Sequence, residues 1–549
     1  MILFIGIKSY AQSDYITLGS RQYDIIDRFE ILLRKDGVLN FSTIKPYDRR
    51  VITQCLEHLK EKSVKGEISL SKTDKYNLDL LLMDNFEWRS NNSDTTRSIR
   101  AVFSKKSLTT PMYAGIKDGD FSFYISPIVN VQGGHDNNLN SSLFESQRGF
   151  YVRGTLTKNL GYYSYYTTNQ ERDPAYVQQY EKQYSAVPGE GYYKSYKTDG
   201  YDYFDARGGI MYKASKGINV QFAYDKVFIG DGFRSLILSD CSSDFLFLKI
   251  NTHFWKFNYY NLFAQMVAPY QRGADHLLPA SYMALHHLDF QATKWLNIGV
   301  FENVMFGRSN GYDLHYLNPV IFYTSAEQQQ GSPDKTTIGA TFKANAFKNT
   351  QFYGQLIINE FILDQVLHYG RGYWANKQAL QLGAKFINVF TIKNLDAQFE
   401  ANIIRPFVYS HNDSVSTSTN YNQPFAHPLG ANLREFIAIL KYQPIPKLQL
   451  KGTAIYYEQG LDSAGEDFGS NPFENYNNRP RDYGFKIGSG ILAKCLLANL
   501  SASYEIIPNA FIDATAILRY YKKEGVPDFK TNIFTLGFRM NIQKREFYF

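Results

Sequence analysis

Apolar and polar residues alternate one by one along most of the chain, from about residue 105 to the C-terminus. The clearest segment alternates apolar Phe534, Leu536, Phe538, Met540 and Ile542 with Thr535, Gly537, Arg539 and Asn541. Residues 150–156, 395–403 and 510–519 repeat the pattern. One apolar and one charged face over about ten residues are typical of strands that separate lipid from an aqueous lumen. The pattern therefore predicts transmembrane β-strands.

A count of roughly 19 such segments, with the preference of bacterial barrels for even numbers, predicts 18 strands. The expected fold is an all-β transmembrane barrel of about 18 antiparallel strands over residues 105–549. A soluble β-sandwich would also alternate. Short turns such as Thr157–Asn159, set against long polar segments such as Asn169–Gly200 and Tyr409–Gly430, favour the barrel. The C-terminal aromatic residue, Phe549, follows the last alternating strand, as in many outer-membrane barrels.

Residues 13–100 have helical periodicity instead, and they predict a small N-terminal α-helical domain of three short amphipathic helices. Pro46 fits the first turn of the second helix, where its missing N–H costs nothing. Ser71 and Asp74 have the spacing of a capping box at the start of the third. Such a small bundle needs support from a larger partner. Residues 1–12 resemble the remnant of a signal peptide, with Ser9-Tyr10-Ala11 as a cleavage pattern.

Composition agrees with a barrel and excludes several other classes of protein. Tyr (43) and Phe (41) are abundant, as expected where rings line membrane interfaces and a lumen. No run of 18 apolar residues occurs, so a helical membrane span is excluded. The net charge is +7, but Lys and Arg are interleaved with Asp and Glu along the chain, which does not indicate nucleic-acid binding. The three cysteines are too far apart for a zinc site or a disulfide framework, and we expect no metal or cofactor.

Tyrosines in the long segment Asn169–Gly200 are the first candidate for ligand binding, because flat rings stack on sugars. Those rings belong to Tyr176, Tyr180, Tyr184, Tyr192, Tyr193 and Tyr196. A second cluster holds Tyr373 and Trp374 beside Arg371. Each set has two interpretations that the sequence leaves open. The first is either a surface for glycans or a loop packed into the barrel mouth, and the second is either a sugar site or part of an interface girdle.

Charged residues on the polar faces of the strands predict the character of the lumen. They are Arg153, Glu400, Arg519 and Arg539, which would either attract anionic polymers or pair with one another to stiffen the wall. Residues Tyr312–Asp334 lack clean alternation and are expected to obstruct the lumen. His287 and Asp289 share a strand face, but no serine nucleophile motif accompanies them. We therefore expect a protein that is not an enzyme.

Four strings resemble the Wzi-type capsule-assembly proteins of the outer membrane. They are YDIIDRFE (23–30), DKYNLDLLLMDNFEW (74–88), LHYLNPVIFYTSAEQQQGSPD (314–334) and YNQPFAHPLGANLREF (421–436). The nearest likeness is to the Bacteroidetes branch, which includes gliding-motility-associated members. The resemblance spans nearly the whole chain, and it implies an 18-stranded barrel with a helical bundle at its periplasmic mouth and long loops outside the cell.

The same resemblance implies a lectin-like protein that binds or anchors capsular polysaccharide at the cell surface. Its partners would be outer-membrane lipid and surface polysaccharide, with other surface proteins as a further class and no nucleic acid. The alternative is a structural component of a surface-protein assembly, such as gliding-motility or secretion machinery. A diffusion porin is a third possibility, disfavoured by the expected obstructions.

Overall fold

Eighteen antiparallel strands close into a barrel in the structure, a computed structural model. It describes residues 14–90, 96–100, 114–273, 277–309, 311–331, 334–360, 364–365, 368–463 and 465–549. The signal-peptide prediction for residues 1–12 lies outside these ranges. Each barrel strand pairs with the next along the chain, and the last pairs with the first, so the predicted fold class and strand number are confirmed.

The strands are β1 (Phe121–Asp136), β2 (Leu143–Thr157), β3 (Leu160–Arg172), β4 (Gly200–Lys213), β5 (Ile218–Asp225), β6 (Phe245–Phe254), β7 (Phe257–Val267), β8 (Ala280–Thr293), β9 (Leu296–Phe306), β10 (Lys335–Ala344), β11 (Thr350–Glu360), β12 (Lys377–Phe386), β13 (Leu395–Ile404), β14 (Leu433–Ile445), β15 (Leu448–Leu461), β16 (Ile491–Ile507), β17 (Ala510–Lys523) and β18 (Phe529–Met540). Two short strands, Thr96–Arg100 and Ala114–Asp118, pair with each other. The second of these also pairs with the first part of β1, below the stretch that bonds to β18.

The alternation in β18 shows how the sequence builds the wall. Phe534 and Leu536 point outward and are 58% and 55% exposed, whereas Thr531 and Thr535 point inward and are buried. A soluble sheet would bury the apolar side instead. An apolar outer band over a polar interior is the arrangement of a barrel surrounded by lipid. Among the described residues, no helix is long and apolar enough to span a membrane.

The two ends of the barrel differ in the length of their connections. Turns of a few residues, such as Trp255-Lys256 between β6 and β7 and Pro508-Asn509 between β16 and β17, define the short-turn mouth. Residues 173–199, 405–432 and 462–490 join strands at the opposite end, the long-loop mouth. The expected contrast between short turns and long loops is therefore present.

Three helices near the N-terminus form a small bundle at the short-turn mouth: α1 (Gln22–Leu33), α2 (Arg49–Val64) and α3 (Lys72–Asp84). Their shared core includes Phe29, Leu59 and Leu81. The capping box is confirmed, because Ser71 accepts from the N–H of Asp74 and the Asp74 carboxylate accepts from the N–H of Ser71. The prediction for Pro46 is wrong, since α2 is capped by Asp48 and begins after it.

Ion pairs join this bundle to the barrel wall. Arg28 of α1 contacts Asp74 at 2.8 Å and also Asp396, which belongs to β13, at 2.5 Å. Lys343 of β10 lies 2.9 Å from Glu30. The expected dependence of the small bundle on a larger partner thus takes the form of buried charge pairs across the mouth.

Residues 312–331, which we name the outer strap, lie on the outside of the barrel and not in the lumen. Their helix α5 (Tyr323–Gln330) begins above Glu302, whose carboxylate accepts from the N–H groups of Tyr323 and Thr324, both at 2.8 Å. Glu302 shares its strand face with Ile298 and Val300, which are exposed on the outer wall. The prediction that this segment obstructs the lumen is therefore wrong.

The physical reason is the match between the strap and the wall beneath it. Tyr316 and Tyr323 are fully buried against Val304 and Phe306, which point outward from β9. The ring of Tyr323 also stacks on His286 at 3.8 Å. Aromatic side chains suit an apolar outer wall as well as they suit a lumen, so the composition of the segment could not distinguish the two.

Residues 541–549, the terminal tail, turn back from β18 into the lumen. Glu546 lies 2.6 Å from Lys451, an inward residue of β15, and the Asn499 amide donates to the hydroxyl of Tyr548 at 3.0 Å. Phe549 consequently packs inside the barrel, 4.6 Å from the ring of Tyr180, and not at the end of a wall strand. The terminal tail and the helical bundle, and not the outer strap, occupy the lumen.

Candidate glycan-binding surface

Half of the tyrosines in the 173–199 loop face the lumen. Helix α4 (Ala175–Tyr184) follows Pro174 and carries three of them. Tyr176 is 3% exposed, and its hydroxyl donates to the carbonyl of Phe547 at 2.8 Å. Tyr180 packs on the ring of Phe549, and Tyr184 packs on Phe473 at 5.6 Å. Tyr176 and Tyr180 hold the terminal tail and Tyr184 packs on another loop, which favours the packing interpretation for this part of the loop.

The other three tyrosines of the loop lie nearer the surface. Tyr193 is buried under the guanidinium of Arg272, 3.5 Å from its ring centre. Tyr192 is 58% exposed, with the same guanidinium 5.8 Å away. Tyr196 lies 6.1 Å from Phe144 at the rim. Tyr192 is thus the most accessible of the six predicted rings, and the set does not form one continuous surface.

Tyr373 and Trp374 belong to a larger cluster that includes two rings from the 462–490 loop. We name Tyr373, Trp374, Tyr476 and Tyr483 the aromatic platform. Trp374 lies 4.8 Å from Tyr476, and Tyr373 lies 5.3 Å from Tyr483. The guanidinium of Arg479 sits 4.0 Å from the ring centre of Trp374. Rings and a guanidinium at these distances match what a sugar polymer needs, namely stacking faces beside planar donors.

Backbone hydrogen bonds between two loops build the platform. The N–H of Trp374 donates to the carbonyl of Asp482 at 3.0 Å, and the N–H of Phe485 donates to that of Gly372 at 2.9 Å. Gly372 has φ +64°, and a Cβ there would lie 2.6 Å from the Phe485 carbonyl oxygen. The close approach therefore requires glycine. Sequence reasoning missed Tyr476, Tyr483 and Arg479 because the pairing of distant loops leaves no local pattern.

Positive charge lies around and beneath the platform. Lys377, at the start of β12, has its ammonium 4.1 Å from the ring centre of Tyr476. Arg479 pairs with Asp482 at 2.8 Å and so keeps a fixed orientation. Below Tyr476, burial and the neighbouring Lys335 and Lys377 lower the pKa of His411 to about 4, so this imidazole is neutral at physiological pH. Lys377 likewise pairs with Glu360 at 3.0 Å, so an anionic ligand would share both cations with carboxylates of the protein.

Two of the predicted lumen charges are paired at the short-turn mouth. Arg153 points inward and contacts Glu87 of the helical domain at 3.0 Å. Arg539 contacts Asp513 of the neighbouring strand at 2.6 Å. Neither guanidinium faces an open channel in this arrangement. Their contacts favour the interpretation that such residues pair and stiffen the wall.

The other two lumen charges hold segments that fill the barrel. Glu400 accepts from the backbone N–H groups of Phe233 and Arg234, at 2.6 and 3.0 Å, and so fixes the 226–244 loop in the lumen. Arg519 donates to a terminal oxygen of Phe549 at 3.1 Å. Both residues serve internal attachment. They supply no free charge to a passing polymer in this state.

His286 and His287 point to opposite sides of β8, as the alternation predicts. His286 lies outside beneath the strap, and His287 lies inside, 3.4 Å from Asp289. The His287 ring also contacts the Thr341 hydroxyl at 3.2 Å. A possible metal site lies elsewhere, at Glu171, Asp173 and Glu181, where the sequence led us to expect none.

No family model matches the sequence, and no curated protein matches it significantly. Among solved structures, the chain is similar to Wzi of Escherichia coli, described as an outer membrane protein involved in group 1 capsule assembly and as a carbohydrate-binding β-barrel. The TM-score is 0.56 at 10% identity, covering 97% of this chain and 99% of Wzi. This likeness shows the fold of an outer-membrane barrel, in agreement with the resemblance read from the sequence.

Porin-like barrels are less similar. OprD of Pseudomonas aeruginosa has a TM-score of 0.42 at 10% identity, covering 76% of this chain and 94% of OprD. OccAB2 of Acinetobacter baumannii has a TM-score of 0.42 at 7% identity, covering 76% of this chain and 97% of its own. Similarity at this level supports no conclusion about this chain.

Proposed function

We propose that this protein is a non-enzymatic outer-membrane barrel that binds or anchors an acidic surface polysaccharide at its long-loop mouth. In this proposal the helical domain faces the periplasm, the long loops face the exterior and lipid surrounds the wall. Similarity to Wzi, which is described as carbohydrate-binding and involved in capsule assembly, supports it at the level of the fold.

The observation that carries the proposal is the aromatic platform with Arg479 over it. Tyr483 is 47% exposed and Trp374 is partly buried, so the platform offers ring surface to a ligand without being loose. The backbone bonds between its two loops fix the rings before a ligand arrives. A preorganised surface loses less entropy on binding than a flexible one.

The segments that fill the lumen favour attachment of a polymer at the long-loop mouth over passage of a polymer through the barrel. The helical bundle, the 226–244 loop and the terminal tail all occupy the interior, and buried ion pairs hold them there. An example is Arg234, whose guanidinium lies 2.9 Å from Glu435 of β14. A barrel of this width would be an open pore without such segments.

The direct test measures binding of acidic capsular polysaccharide, extracted from the producing cells, to the full chain in detergent. Tyr483→Ala removes an exposed ring and should weaken binding severalfold. Trp255→Ala is the matched control, because Trp255 is 75% exposed at the opposite mouth. Equal affinity in the two variants, or no binding by the unaltered protein, would refute the proposal.

One observation favours a second candidate, a structural component of a surface-protein assembly such as gliding-motility or secretion machinery. The outer strap presents Leu314, Val320 and Phe322 outward, each at least 74% exposed. Large apolar side chains on a raised element could contact a membrane partner as readily as lipid. A stoichiometric protein that co-purifies with the chain, and is lost on Phe322→Ser, would support this candidate.

A further inference from the structure

Three buried carboxylates meet where β3 leads into α4, near the long-loop mouth. Glu171 lies at the end of β3, Asp173 follows two residues later, and Glu181 projects from α4. One oxygen from each lies within 4.8 Å of the other two. Glu171 and Glu181 are each 1% exposed and Asp173 is 6% exposed, so bulk water does not solvate them.

The negative charge of this cluster exceeds the positive charge that reaches it. Glu145 is the cross-strand partner of Glu171 and adds a fourth carboxylate. Within the described ranges, the ion pair to these four residues comes from Arg545 of the terminal tail, which contacts Glu171. Burying an unbalanced charge is strongly unfavourable unless a proton or a cation neutralises it.

Several of the buried oxygens have no hydrogen-bond partner among the described residues. They are Oε1 of Glu145, Oε1 of Glu171 and Oδ2 of Asp173, whereas the Glu181 carboxylate has the hydroxyl of Tyr201 beside it. Buried polar atoms in native proteins are almost always paired. Unpaired oxygens on Glu171 and Asp173, two members of the buried cluster, therefore indicate a missing partner, and a bound cation would supply it.

The local scaffold holds the carboxylates in place. The side-chain amide of Gln178 donates to the carbonyl of Asp173 at 2.8 Å, and Asp136 accepts from the N–H of Ala175 at 2.8 Å. Both bonds fix the backbone between the end of β3 and the first turn of α4.

We propose that Glu171, Asp173 and Glu181 bind a divalent cation, of which Ca²⁺ fits best. All three ligands are hard carboxylate oxygens, the type that Ca²⁺ and Mg²⁺ prefer. Ca²⁺ is the better choice of the two because it tolerates irregular sets of carboxylate ligands, whereas Mg²⁺ demands near-ideal octahedral geometry.

Such an ion would link three parts of the molecule. It would tie α4 to the end of β3, while the Glu171–Arg545 pair ties the same point to the terminal tail. Helix α4 carries Tyr176 and Tyr180, which pack on the tail. The ion would therefore hold α4 and the tail in place at the long-loop mouth. This role is separate from polysaccharide binding, so either can hold without the other.

The test uses the full-length protein in detergent, stripped with EDTA and titrated with Tb³⁺, whose luminescence a nearby tyrosine sensitises. Tyr201 lies beside Glu181 and can serve as that donor. We expect about one equivalent of Tb³⁺ to bind and to be displaced by Ca²⁺ more readily than by Mg²⁺. Ca²⁺ should also raise the temperature at which the chain loses its α4–tail contacts.

Glu181→Gln and, as a second variant, Asp173→Asn should each weaken binding by more than about tenfold. Glu524→Gln, an exposed carboxylate at the same mouth, should bind as the unaltered protein does. Heat-modified migration on gels checks that every variant still forms the barrel. If the folded, unaltered protein binds no Tb³⁺ above the Glu181→Gln level, protons neutralise the cluster and the proposal is overturned.

Discussion

The two mouths of the barrel are closed by different kinds of contact. At the short-turn mouth, buried ion pairs such as Arg28 with Asp74 and Asp396 seat a helical bundle on the wall. At the long-loop mouth, rings and backbone bonds between loops dominate, and the aromatic platform leaves ring surface exposed. Buried charge pairs fix a geometry but offer nothing to a ligand. In the proposed function, the short-turn mouth is the seal and the long-loop mouth is the binding surface.

Breaking the seal should have the largest effect. Arg28→Ala leaves Asp74 buried without its guanidinium, and loss of one partner of a buried pair costs about 3–5 kcal/mol. Arg28 also donates to Asn388 at 2.9 Å, so its removal should detach α1 from the 386–395 turn. Chemical denaturation monitored through the helical signal measures the change. Lys60→Ala, in an exposed pair with Asp79, is the control and should change stability by less than about 1 kcal/mol. Similar losses in both variants would show that the bundle is not held by its buried charges.

Substitutions in the aromatic platform should change the affinity for polysaccharide more than they change the stability of the protein. Trp374→Ala removes the ring that contacts Tyr476 and Arg479, and we expect polysaccharide affinity to fall severalfold because a stacking face is lost and Arg479 loses its support. Calorimetry with the extracted polysaccharide measures this. The Arg28→Ala variant, if it still forms the barrel, should retain most of its affinity. Loss of affinity in that variant alone would reverse the roles assigned to the two mouths.

A substitution at Glu302 tests whether a single carboxylate holds the outer strap on the barrel wall. Glu302→Gln weakens the cap on α5 and should cost about 1 kcal/mol, the typical worth of a helix cap. Faster proteolysis or hydrogen exchange within residues 323–330 would register the change. Glu327→Gln alters a carboxylate of the same helix that bonds to Thr336, and it provides a comparison away from the cap. Unchanged exchange in the Glu302→Gln variant would mean that ring packing alone holds the strap.

The smallest expected effect is a pH dependence of local stability, and it is confined to the long-loop mouth. Burial, and next the charge of Asp462, raise the pKa of Asp467 to about 8 from an ordinary value of 3.8. A raised carboxyl pKa means that the folded loop favours the protonated form. The stability that the protonated carboxyl of Asp467 contributes is complete at acid pH and is lost as the pH rises through about 8. Hydrogen exchange of residues 468–472, corrected for intrinsic rates, should accelerate between about pH 4 and pH 8, where the open loop has lost the proton that the folded loop keeps, and Asp467→Asn should remove this dependence.

Local periodicity made the wall predictable. Each strand must present apolar side chains to lipid, so the alternation in β13, β17 and β18 is visible residue by residue, and the capping box at Ser71 is equally local. Placement of the other segments depends on contacts between distant residues. The outer strap and the 226–244 loop are both rich in apolar residues, yet one covers the outer wall and the other fills the lumen.

The candidate site was only partly predictable for the same reason. Tyr373 and Trp374 are adjacent in sequence and could be singled out. Tyr476, Tyr483 and Arg479 join them because Gly372 lets a second loop approach, which no periodicity reveals. The tyrosines of α4 matched a sugar-binding composition, but the terminal tail that covers Tyr176 and Tyr180 could be located only in three dimensions.

The central claim is that the long-loop mouth holds polysaccharide through the aromatic platform. Its most direct test is a pull-down of the detergent-extracted protein from the cells that produce it, with bound glycan and bound protein analysed together. The account predicts glycan on the unaltered protein and on Trp255→Ala, and little on Tyr483→Ala. A stoichiometric protein partner without glycan would contradict it and would make this barrel a component of a larger surface assembly.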